Sequence, residues 1–369
     1  MINIYIANKE NWGGTFQYTE LLIKALKKER KKTSIYFTES TWRKKYKNSH
    51  YIRLNLISVF FINLIVFFNF HKMIGSNIIQ KVTRLPNTFF HKESTWIFPS
   101  NDLISCICKG KKIIPIHDLM HRLSSFPEVG GFLRKRIRDY KFKKLIKNAN
   151  VILVDSKVGK KHVQELFSHK KDNIRILEFF PQINVSKKKN IKLSKQKYLF
   201  YPAQFWPHKN HKNLILAISK LAKKDKSIKL FLVGHKIRLY NSLKLLCIQN
   251  NCEKNIIFYG YVNSLFLSNL YSNARALVMP SFLGPTNIPP IEAFLHACPV
   301  LLSDVYAARE QCKNNALYFN PNSVKSIYLA INKIWFNDKI YKRYKNKSKL
   351  KSKVYSIKNF SKKLIQFIC

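Results

Sequence analysis

Acidic residues and glycine are both scarce in this sequence. Of its 369 residues only 19 are aspartate or glutamate, against 67 lysines and arginines, and the formal net charge is +48. Ten glycines are too few for a collagen-like or glycine-rich chain, and 46% hydrophobic residues exclude a disordered basic tail. The excess of positive charge predicts an anionic partner, which nucleic acid, membrane headgroups or phosphorylated substrates would each satisfy.

Cysteine pairs at metal-ligand spacing and a secretory leader are also lacking. Seven cysteines are scattered along the chain, and the C-x-C formed by Cys106 and Cys108 has no second pair. We therefore expect reduced thiols, as in a cytoplasmic protein. The opening residues, MINIYIANKE, have no basic region followed by an apolar core, so we do not expect a secretory signal.

One uncharged stretch, from Leu54 to Phe70, raises the question of a membrane contact. It lies at the lower limit of length for a spanning helix and includes several polar side chains. The composition favours a buried helix. A hairpin or in-plane helix at a membrane surface and a true span are the alternatives. The polar residues in the stretch are Asn55, Ser58, Asn63 and Asn69.

Short apolar runs alternate with longer helical runs, which predicts parallel sheets covered by helices on both faces. The series occurs twice, on either side of the basic stretch 186–197, the predicted linker. We expect an α/β protein with two doubly wound, Rossmann-like domains, 1–185 and 198–345, and a ligand in the cleft between them. A basic C-terminal helix, 346–369, could pack back on the first domain or lie on a membrane. The predicted strands are 2–7, 112–116, 151–155, 174–177, 198–203, 229–234, 255–260, 276–280 and 299–304.

The segment 281–304, SFLGPTNIPPIEAFLHACPVLLSD, is the most informative about chemistry. Pro289 and Pro290 suit the first turn of a helix, where a backbone N–H would lack an intrahelical partner anyway. The N–H groups and the helix dipole at such a start make an anion site that fits a diphosphate. Glu292, expected within the first turn, could bind the hydroxyls of a ribose or could merely satisfy the dipole.

The segment 201–214, YPAQFWPHKNHKNL, follows the first strand of the second series. Lys209 precedes a helix predicted to begin near Asn213 and would reach a phosphate in the cleft. His208 and His211 are spaced as metal ligands could be, but no third ligand accompanies them. A loop or substrate contact is therefore favoured over a metal site.

These residues resemble the GT-B glycosyltransferases, and within them the large retaining group known as family 4, in a variant found among bacterial surface-polysaccharide enzymes. The likeness covers most of the chain and is strongest from Tyr198 to Pro321. Family members carry a segment like E-G-F-G-L-P-x-L-E-A, followed by G-x-P-V-x-x-S-D. Glu292 matches the second glutamate, so the resemblance implies that it binds the donor ribose, whereas Gly284 stands in place of the first.

A second departure from the family lies in the loop that binds the donor diphosphate. The pattern G-R-x-x-x-x-K-N is matched at Lys209 and Asn210, with Gln204 in the place of the arginine. A hydrogen bond to a charged group is worth about 1.5–3 kcal/mol, so another donor should compensate. The candidates are His208 and the backbone N–H groups of Thr286, Asn287 and Ile288.

The N-terminal half matches less specifically. Paired glycines at Gly13 and Gly14 allow close approach of the backbone to a phosphate or sugar. The resemblance implies that His117 points toward the donor sugar with Asp118 orienting it, although the pair could also cap a loop. Ser156 is the predicted N-cap of a helix. By the same resemblance, the walls of the nucleobase site are expected at Gly234, Tyr261 and Val262.

The resemblance implies retaining transfer of a hexose, with mannose or a deoxyhexose slightly favoured, from a nucleotide diphosphate sugar to a lipid-linked or polysaccharide acceptor. Lipopolysaccharide, O-antigen or capsule synthesis would be the context, with the acceptor bound by the first domain and the nucleotide sugar by the second. Lys209 and the helix start before Glu292 would stabilise the leaving diphosphate. No Asp-x-Asp segment is present, and we expect neither a metal nor another cofactor.

Two other classes of function fit parts of the sequence. A catalytically silent scaffold of the same fold would explain Gly284 and Gln204, and a nucleic-acid-binding protein would explain the charge but lacks a recognition motif. A diphosphate needs few cations. The remaining charge predicts attraction to anionic lipids, worth about 1 kcal/mol for each basic residue near the surface. We therefore expect a cytoplasmic protein, peripheral at the inner face of the membrane, without a specific nucleic-acid partner.

Overall fold

The chain forms two compact units. The computed structural model describes residues 1–8, 13–46, 49–129, 131–168, 172–181, 193, 196–237, 239–284 and 286–368. Unit 1 comprises Met1–Leu123, Gly130–Gln182 and Ser356–Cys369, and unit 2 comprises Ser124–Val129 and Ile183–Tyr355. The predicted linker, 186–197, lies almost entirely outside the described residues.

Unit 1 is built on a seven-stranded parallel sheet in the order β3-β2-β1-β4-β5-β6-β7. All five residues of β1 are buried, because both faces of a parallel sheet are covered. The apolar patterns do not single out β2, β3 or β4, and the last two are only three residues long. The strands are β1 Ile2–Ile6, β2 Thr33–Phe37, β3 Ser49–Tyr51, β4 Thr95–Ile97, β5 Lys111–Pro115, β6 Val151–Val154 and β7 Ile174–Ile176.

Ahead of its C-terminal segment, unit 1 contains six helices among the described residues. The first contributes Leu21, Leu22 and Leu26 to the core. The sixth begins at the predicted cap, because Ser156 Oγ accepts the backbone N–H of Gly159 at 2.9 Å. The helices are α1 Gly13–Lys28, α2 Leu56–Phe67, α3 Ser76–Thr83, α4 Met120–Leu123, α5 Phe132–Asn148 and α6 Lys157–Leu166.

The expectation of a buried helix in the stretch 54–70 is wrong for half of its surface. Helix α2 buries Ser58, Ile62, Ile65 and Val66, but Phe60 on its other face is 69% exposed. At 12 residues the helix is about 18 Å long. Among the residues that the structure describes, no helix has both the length and the apolar character needed to cross a membrane.

Unit 2 holds a six-stranded parallel sheet in the order β10-β9-β8-β11-β12-β13. Its strands read as apolar runs, and the four central strands are buried at almost every residue, whereas β10 and β13 at the edges are partly buried. Tyr198 stacks on Phe231 within the core at 4.1 Å between ring centroids. Together the two sheets confirm the predicted α/β class. The strands are β8 Leu199–Pro202, β9 Leu230–Val233, β10 Ile256–Gly260, β11 Ala276–Met279, β12 Val300–Ser303 and β13 Ala316–Phe319.

The helices of unit 2 complete its core. The helix predicted to begin near Asn213 begins two residues earlier, at His211. Trp335 is fully buried and its indole donates to Asp225 Oδ2 at 2.8 Å. The helices are α7 His211–Ala222, α8 Tyr240–Gln249, α9 Ser264–Asn273, α10 Ile288–Leu295, α11 Ala308–Cys312, α12 Val324–Phe336 and α13 Asp338–Ser352.

The single helix predicted at the C-terminus is two helices. Helix α13 belongs to unit 2, where Ser348 Oγ donates to the carbonyl of Cys298 at 2.9 Å. Helix α14, Ile357–Ile368, belongs to unit 1 and packs on α1, where Ser361 Oγ donates to Glu29. The apolar side chains of the predicted helix are therefore divided between the two units, with Leu364 of α14 buried and Leu350 of α13 exposed.

Candidate functional site

The candidate site of unit 2 lies at the point where the strand order of its sheet reverses. The chain passes from β8 to β9 on one side and from β11 to β12 on the other. Because β8 and β11 are paired neighbours, the loops that follow them leave the sheet side by side. Ligands of open parallel sheets bind beyond the carboxyl ends of the strands at such a point.

Hydrogen bonds join these two loops. The backbone N–H of Phe282 donates to the carbonyl of His208 at 2.8 Å, and Ser281 Oγ donates to the same oxygen at 3.2 Å. The side chain of Asn210 donates to the carbonyls of Pro280 and Pro321, at 2.9 and 2.8 Å. The structure thereby brings the loop that carries Gln204, His208 and Lys209 against the loop that leads to Glu292.

Lys209 is the last residue of a short 3-10 turn, Pro207–Lys209. Its backbone is fixed at both ends, because its N–H donates to Trp206 and its carbonyl accepts the hydroxyl of buried Tyr201 at 3.1 Å. The next residue, Asn210, has a φ of 56° and turns the chain into α7. The base of the Lys209 side chain is therefore held in one orientation at the sheet edge.

Gln204, which replaces the family arginine, is exposed at the same edge. Its amide oxygen accepts the indole N–H of Trp206 at 2.6 Å. The amide nitrogen is the part of this side chain that can still donate to an anion. An uncharged donor in this place leaves the site with one positive charge fewer than the family pattern.

Glu128 is the residue of this site that sequence reasoning missed. It lies in the short segment Ser124–Val129 of unit 2, and one of its oxygens accepts both the backbone N–H of His208, at 2.8 Å, and ring Nδ1 of His208. The Glu128 side chain is only 6% exposed. Phe126 supports this contact by stacking on Phe282. No motif surrounds Glu128, so the one available signal is that carboxylates are rare in this chain.

The charge state of Glu128 follows from these contacts. Burial alone would raise its pKa, but the hydrogen bonds from His208 hold the pKa of this carboxyl below its ordinary value. Its second oxygen is buried and has no hydrogen-bond partner among the described residues. Glu128 is thus an ionised, mostly buried carboxylate directed at His208.

His211 does not share a metal site with His208. It is buried between the rings of Tyr201 and Phe205, and burial, with smaller contributions from Lys209 and His208, lowers its pKa to about 3. The ring is therefore a neutral part of the core. Across the described part of the chain, no three His, Cys, Asp or Glu side chains form a cluster that could hold a metal ion.

Glu292 lies in the second turn of α10 and not in the first, because the helix begins at Ile288. It is 7% exposed, and its Oε2 accepts the hydroxyl of Tyr271 on α9 at 2.7 Å. Tyr271 stacks on His296, whose ring bonds to the Glu292 carbonyl and to Ser268. Burial, and then the charge of Glu292, raise the pKa of Tyr271 well above its ordinary value. Tyr271 therefore stays protonated and donates a hydrogen bond to Glu292.

The start of α10 has fewer available N–H groups than expected. The backbone N–H of Asn287 donates to Gln311 Oε1 at 3.1 Å, and Gln311 donates back to the Asn287 carbonyl at 2.8 Å. Among the predicted backbone donors, Asn287 is therefore already bonded within the protein. The reciprocal pair holds the loop before the helix in place.

Gly284 could not be replaced by the family glutamate without strain. Its φ of +126° is a conformation that side chains rarely adopt, and a Cβ there would lie 2.5 Å from Asn287 Oδ1. The amide of Asn287 thus fills the space that a side chain at 284 would need. The loop therefore differs from the family pattern in its backbone conformation as well as in its sequence.

The residues expected at the nucleobase lie at the ends of β9 and β10. Gly234 packs so closely on the β8 end that a Cβ would lie 2.4 Å from the carbonyl of Ala203. Tyr261 is 73% exposed and stacks on His235 at 5.0 Å between ring centroids. Val262 packs at the edge of the core. Gly234 and Tyr261 therefore border one stretch of the sheet edge, with an aromatic pair open to solvent.

The remaining predicted residues belong to unit 1. His117 follows β5, packs edge-to-face on Tyr18 of α1, and has a buried Nε2 without a hydrogen-bond partner among the described residues. Asp118 accepts the backbone N–H of Met120 at 3.1 Å and makes no bond to His117 within the described residues, so it caps the turn. Gly13 and Gly14 open α1, and Gly13 has a φ of 61°.

Comparison with known sequences finds a matching family model and related proteins. Residues 182–351 match the family model described as glycosyl transferases group 1. The O-antigen chain mannosyltransferase RfbU of Salmonella typhimurium is 29% identical over 221 residues, 60% of this chain and 60% of that protein. The chain thus matches about three fifths of the length of this curated relative.

Solved structures share the fold over the whole chain. HepE of Anabaena, solved in complex with UDP, has a TM-score of 0.76 at 15% identity and covers 99% of both chains. WaaG, a glycosyltransferase involved in lipopolysaccharide biosynthesis, has a TM-score of 0.68 at 13% identity and covers 100% of this chain and 99% of its own. The chain therefore has the GT-B fold that the resemblance implied.

Proposed function

We propose that the protein transfers a hexose from a nucleotide diphosphate sugar to a lipid-linked or polysaccharide acceptor in the synthesis of a surface glycan. Mannose is the favoured sugar, since RfbU is named as a mannosyltransferase. Retention of the anomeric configuration and independence of a metal are parts of the same proposal. The two joined loops at the switch point of unit 2 carry it, because they gather the residues that match the donor-binding pattern.

The charge of the leaving nucleotide diphosphate would be met by Lys209 and by the N-terminal end of α10. A fixed cation and aligned backbone dipoles stabilise charge that develops in the transition state without costly reorganisation. Glu292, held by Tyr271, would accept hydrogen bonds from the ribose hydroxyls. In the family that the sequence resembles, the first glutamate lies close to the transferred sugar. The Asn287 amide, in the space next to Gly284, would face that sugar here.

His208 would supply the positive charge that Gln204 does not. A carboxylate held against an imidazole ring favours the imidazolium form, and Glu128 is such a carboxylate. With Nδ1 directed at Glu128, the other ring nitrogen of the imidazolium is also a donor. A charge-assisted bond from that N–H to the diphosphate would replace one bond of the family arginine.

A donor screen tests this proposal most directly. Thermal-shift measurements with UDP, GDP, ADP and dTDP sugars should give one saturable stabilisation at physiological salt, and we expect GDP-mannose to give it. The same donor should then release its nucleoside diphosphate when the purified protein is added. Nuclear magnetic resonance of the product would report whether the anomeric configuration is retained, and assay with a chelator would test the metal independence.

Two results would contradict the proposal. Saturable binding of a nucleotide sugar without hydrolysis or transfer to any acceptor would favour the catalytically silent scaffold. Binding of nucleic acid at physiological salt with no stabilisation by any nucleotide sugar would favour the nucleic-acid-binding alternative.

We also propose peripheral membrane association, since the net charge of +48 exceeds what a diphosphate requires.

A further inference from the structure

Helix α2 presents an uncovered apolar face. Its 12 residues include no charged side chain, and large side chains spaced three and four apart line one side of it. Ile57 is 71% exposed and Phe60 is 69% exposed, while Ser58 and Ile62 on the opposite side are buried. The exposed side chains of this stripe are Ile57, Phe60, Leu64 and Phe67.

A helix that is apolar on every side normally lies inside a protein core or in a membrane. Contiguous apolar surface of this kind on a folded chain marks a site of interaction. Isolated exposed leucines and isoleucines elsewhere, such as Leu245 and Ile248 on α8, do not form such a stripe with aromatic residues. The α2 face therefore calls for a partner.

The neighbouring helix, α5, extends this face. The Tyr140 hydroxyl donates to the carbonyl of Val66 at 3.2 Å, and its ring contacts that of Phe67. One and two turns before Tyr140, the same side of α5 carries Ile137 and Leu133, which are 58% and 69% exposed. The α2–α5 surface consists of Ile57, Phe60, Leu64 and Phe67 with Leu133 and Ile137.

Basic residues surround the α2–α5 surface. Helix α5 carries eight lysines and arginines and a single acidic residue, Asp139. The negative charge of Asp139 is paired with Arg122, because both carboxylate oxygens accept hydrogen bonds from the Arg122 guanidinium. Lys144 reaches the end of α2, where its ammonium donates to the carbonyl of Phe67 at 3.3 Å and to Asn69 Oδ1, just beyond the helix, at 2.6 Å. The surface is thus apolar in its centre and positive around it.

We propose that the α2–α5 surface binds the headgroup region of an anionic lipid bilayer, with α2 lying in the plane of the membrane. A helix about 18 Å long is too short for a hydrocarbon core about 30 Å thick, so it lies along the interface. A second copy of the chain would bring one basic α5 against another, which repels. This inference rests on the proposed function in one respect: a lipid-linked acceptor is the reason why the protein would work at a membrane.

Vesicle binding tests this inference. We expect the full chain to sediment with vesicles of phosphatidylethanolamine and phosphatidylglycerol and to stay unbound with phosphatidylcholine vesicles at physiological salt. The double variant Ile57→Ser/Phe60→Ser should lose affinity for the anionic vesicles by about tenfold or more, since two exposed anchors are removed. Leu245→Ser/Ile248→Ser is the matched control, with similar exposure in unit 2, and should bind as the parent does.

Three further variants test separately how deeply α2 inserts into the bilayer and how much the basic residues of α5 contribute to binding. Phe60→Trp should show a blue-shifted emission that brominated lipids quench, whereas Leu245→Trp should not. Arg134→Gln/Arg136→Gln should weaken binding at low salt and lose its effect at high salt, where surface charges are screened. Neither measurement uses a sugar donor, so failure of the glycosyl transfer proposal would leave these results unchanged.

Three results would overturn the inference. Unchanged vesicle affinity in Ile57→Ser/Phe60→Ser is the first, and an equal loss in the α8 control is the second. The third is a parent protein that sediments as a dimer, with a monomeric α2 variant that still binds vesicles as the parent does. That outcome would identify the face as a contact between copies of the chain.

Discussion

Two short apolar helices, α2 and α10, differ in how far they are buried. Helix α10 reads IPPIEAFL, and its single charged residue, Glu292, is buried against Tyr271. Helix α2 has no charge at all, yet Phe60 and Ile57 stand in solvent. Apolar composition therefore does not decide burial. Burial depends on which other elements of the unit pack over the helix. An exposed apolar helix and a buried charge are both exceptions that indicate function.

The largest contrast should appear in stability. Phe294 on α10 is fully buried, and Phe294→Ala should cost about 3–5 kcal/mol of the free energy of unfolding, because it leaves a cavity. Phe60→Ala on α2 should change the same quantity by less than about 0.5 kcal/mol. Urea unfolding of both variants measures the difference, and equal losses would break the comparison.

Activity should depend almost as strongly on the loop before α7 and on α10. Lys209→Ala should reduce kcat/KM for the donor by about 100- to 1,000-fold, the range seen when a group that stabilises the leaving charge is removed. Glu292→Ala should reduce it by about 10- to 150-fold, because a hydrogen bond from the ribose to a charged group is lost. Lys212→Ala, an exposed lysine on α7, is the control and should be nearly as active as the parent. Turnover close to the parent in both site variants, with unchanged melting temperature, would contradict the site.

The loop before α10 should tolerate no side chain at Gly284. Gly284→Ala should lower the free energy of unfolding by about 1–3 kcal/mol, because of its positive φ and the clash with Asn287. Gly131→Ala is the matched control before α5 of unit 1, with a φ of −66° and open space around it. Thermal melts of the two variants should diverge, and identical curves would contradict the strained geometry.

The Glu128–His208 pair should show itself in the pH dependence of the rate. Glu128→Gln should reduce kcat by about tenfold or more, the size of one hydrogen bond to a charged group. The rate should fall as the pH rises and His208 loses its proton. Without the carboxylate this fall should move to lower pH. His211 cannot substitute, since burial keeps it neutral.

Adding Gln204→Arg to Glu128→Gln should restore part of the rate and remove the shift of the pH profile, because arginine does not titrate in this range. An unaltered profile in Glu128→Gln would show that the pair has only a structural role.

The smallest effect is expected at the support of Glu292. Tyr271→Phe removes one hydrogen bond to the carboxylate and should raise the donor KM by about three- to tenfold, with little change in kcat. The pKa of Tyr271 is raised well above its ordinary value, first by burial. The effect should therefore be the same throughout the neutral pH range. An unchanged KM would mean that Tyr271 does not hold Glu292 for the donor.

Sequence patterns predicted unit 2 better than unit 1 for a physical reason. In unit 2 each buried strand is a continuous apolar run, and the loops after β8 and β11 combine proline, lysine and glutamate in a family pattern. In unit 1 the strands β3 and β4 are three residues long, too short for a periodic signal. Glu128 escaped notice because its partner, His208, is 80 positions away along the chain.

The sequence by itself determined the α/β class, the doubling of the sheet, the strand ends from which the segments with Lys209 and Glu292 follow, and the excess of positive charge. Those features depend on local periodicity, on short motifs and on composition, all of which are properties of neighbouring residues. Only the tertiary structure decided that α2 is half exposed, that Asn287 fills the space beside Gly284, and that Glu128 meets His208. The exposure of α2 and the Glu128–His208 contact depend on segments far apart in the chain, and the place of Asn287 depends on the backbone conformation of one loop.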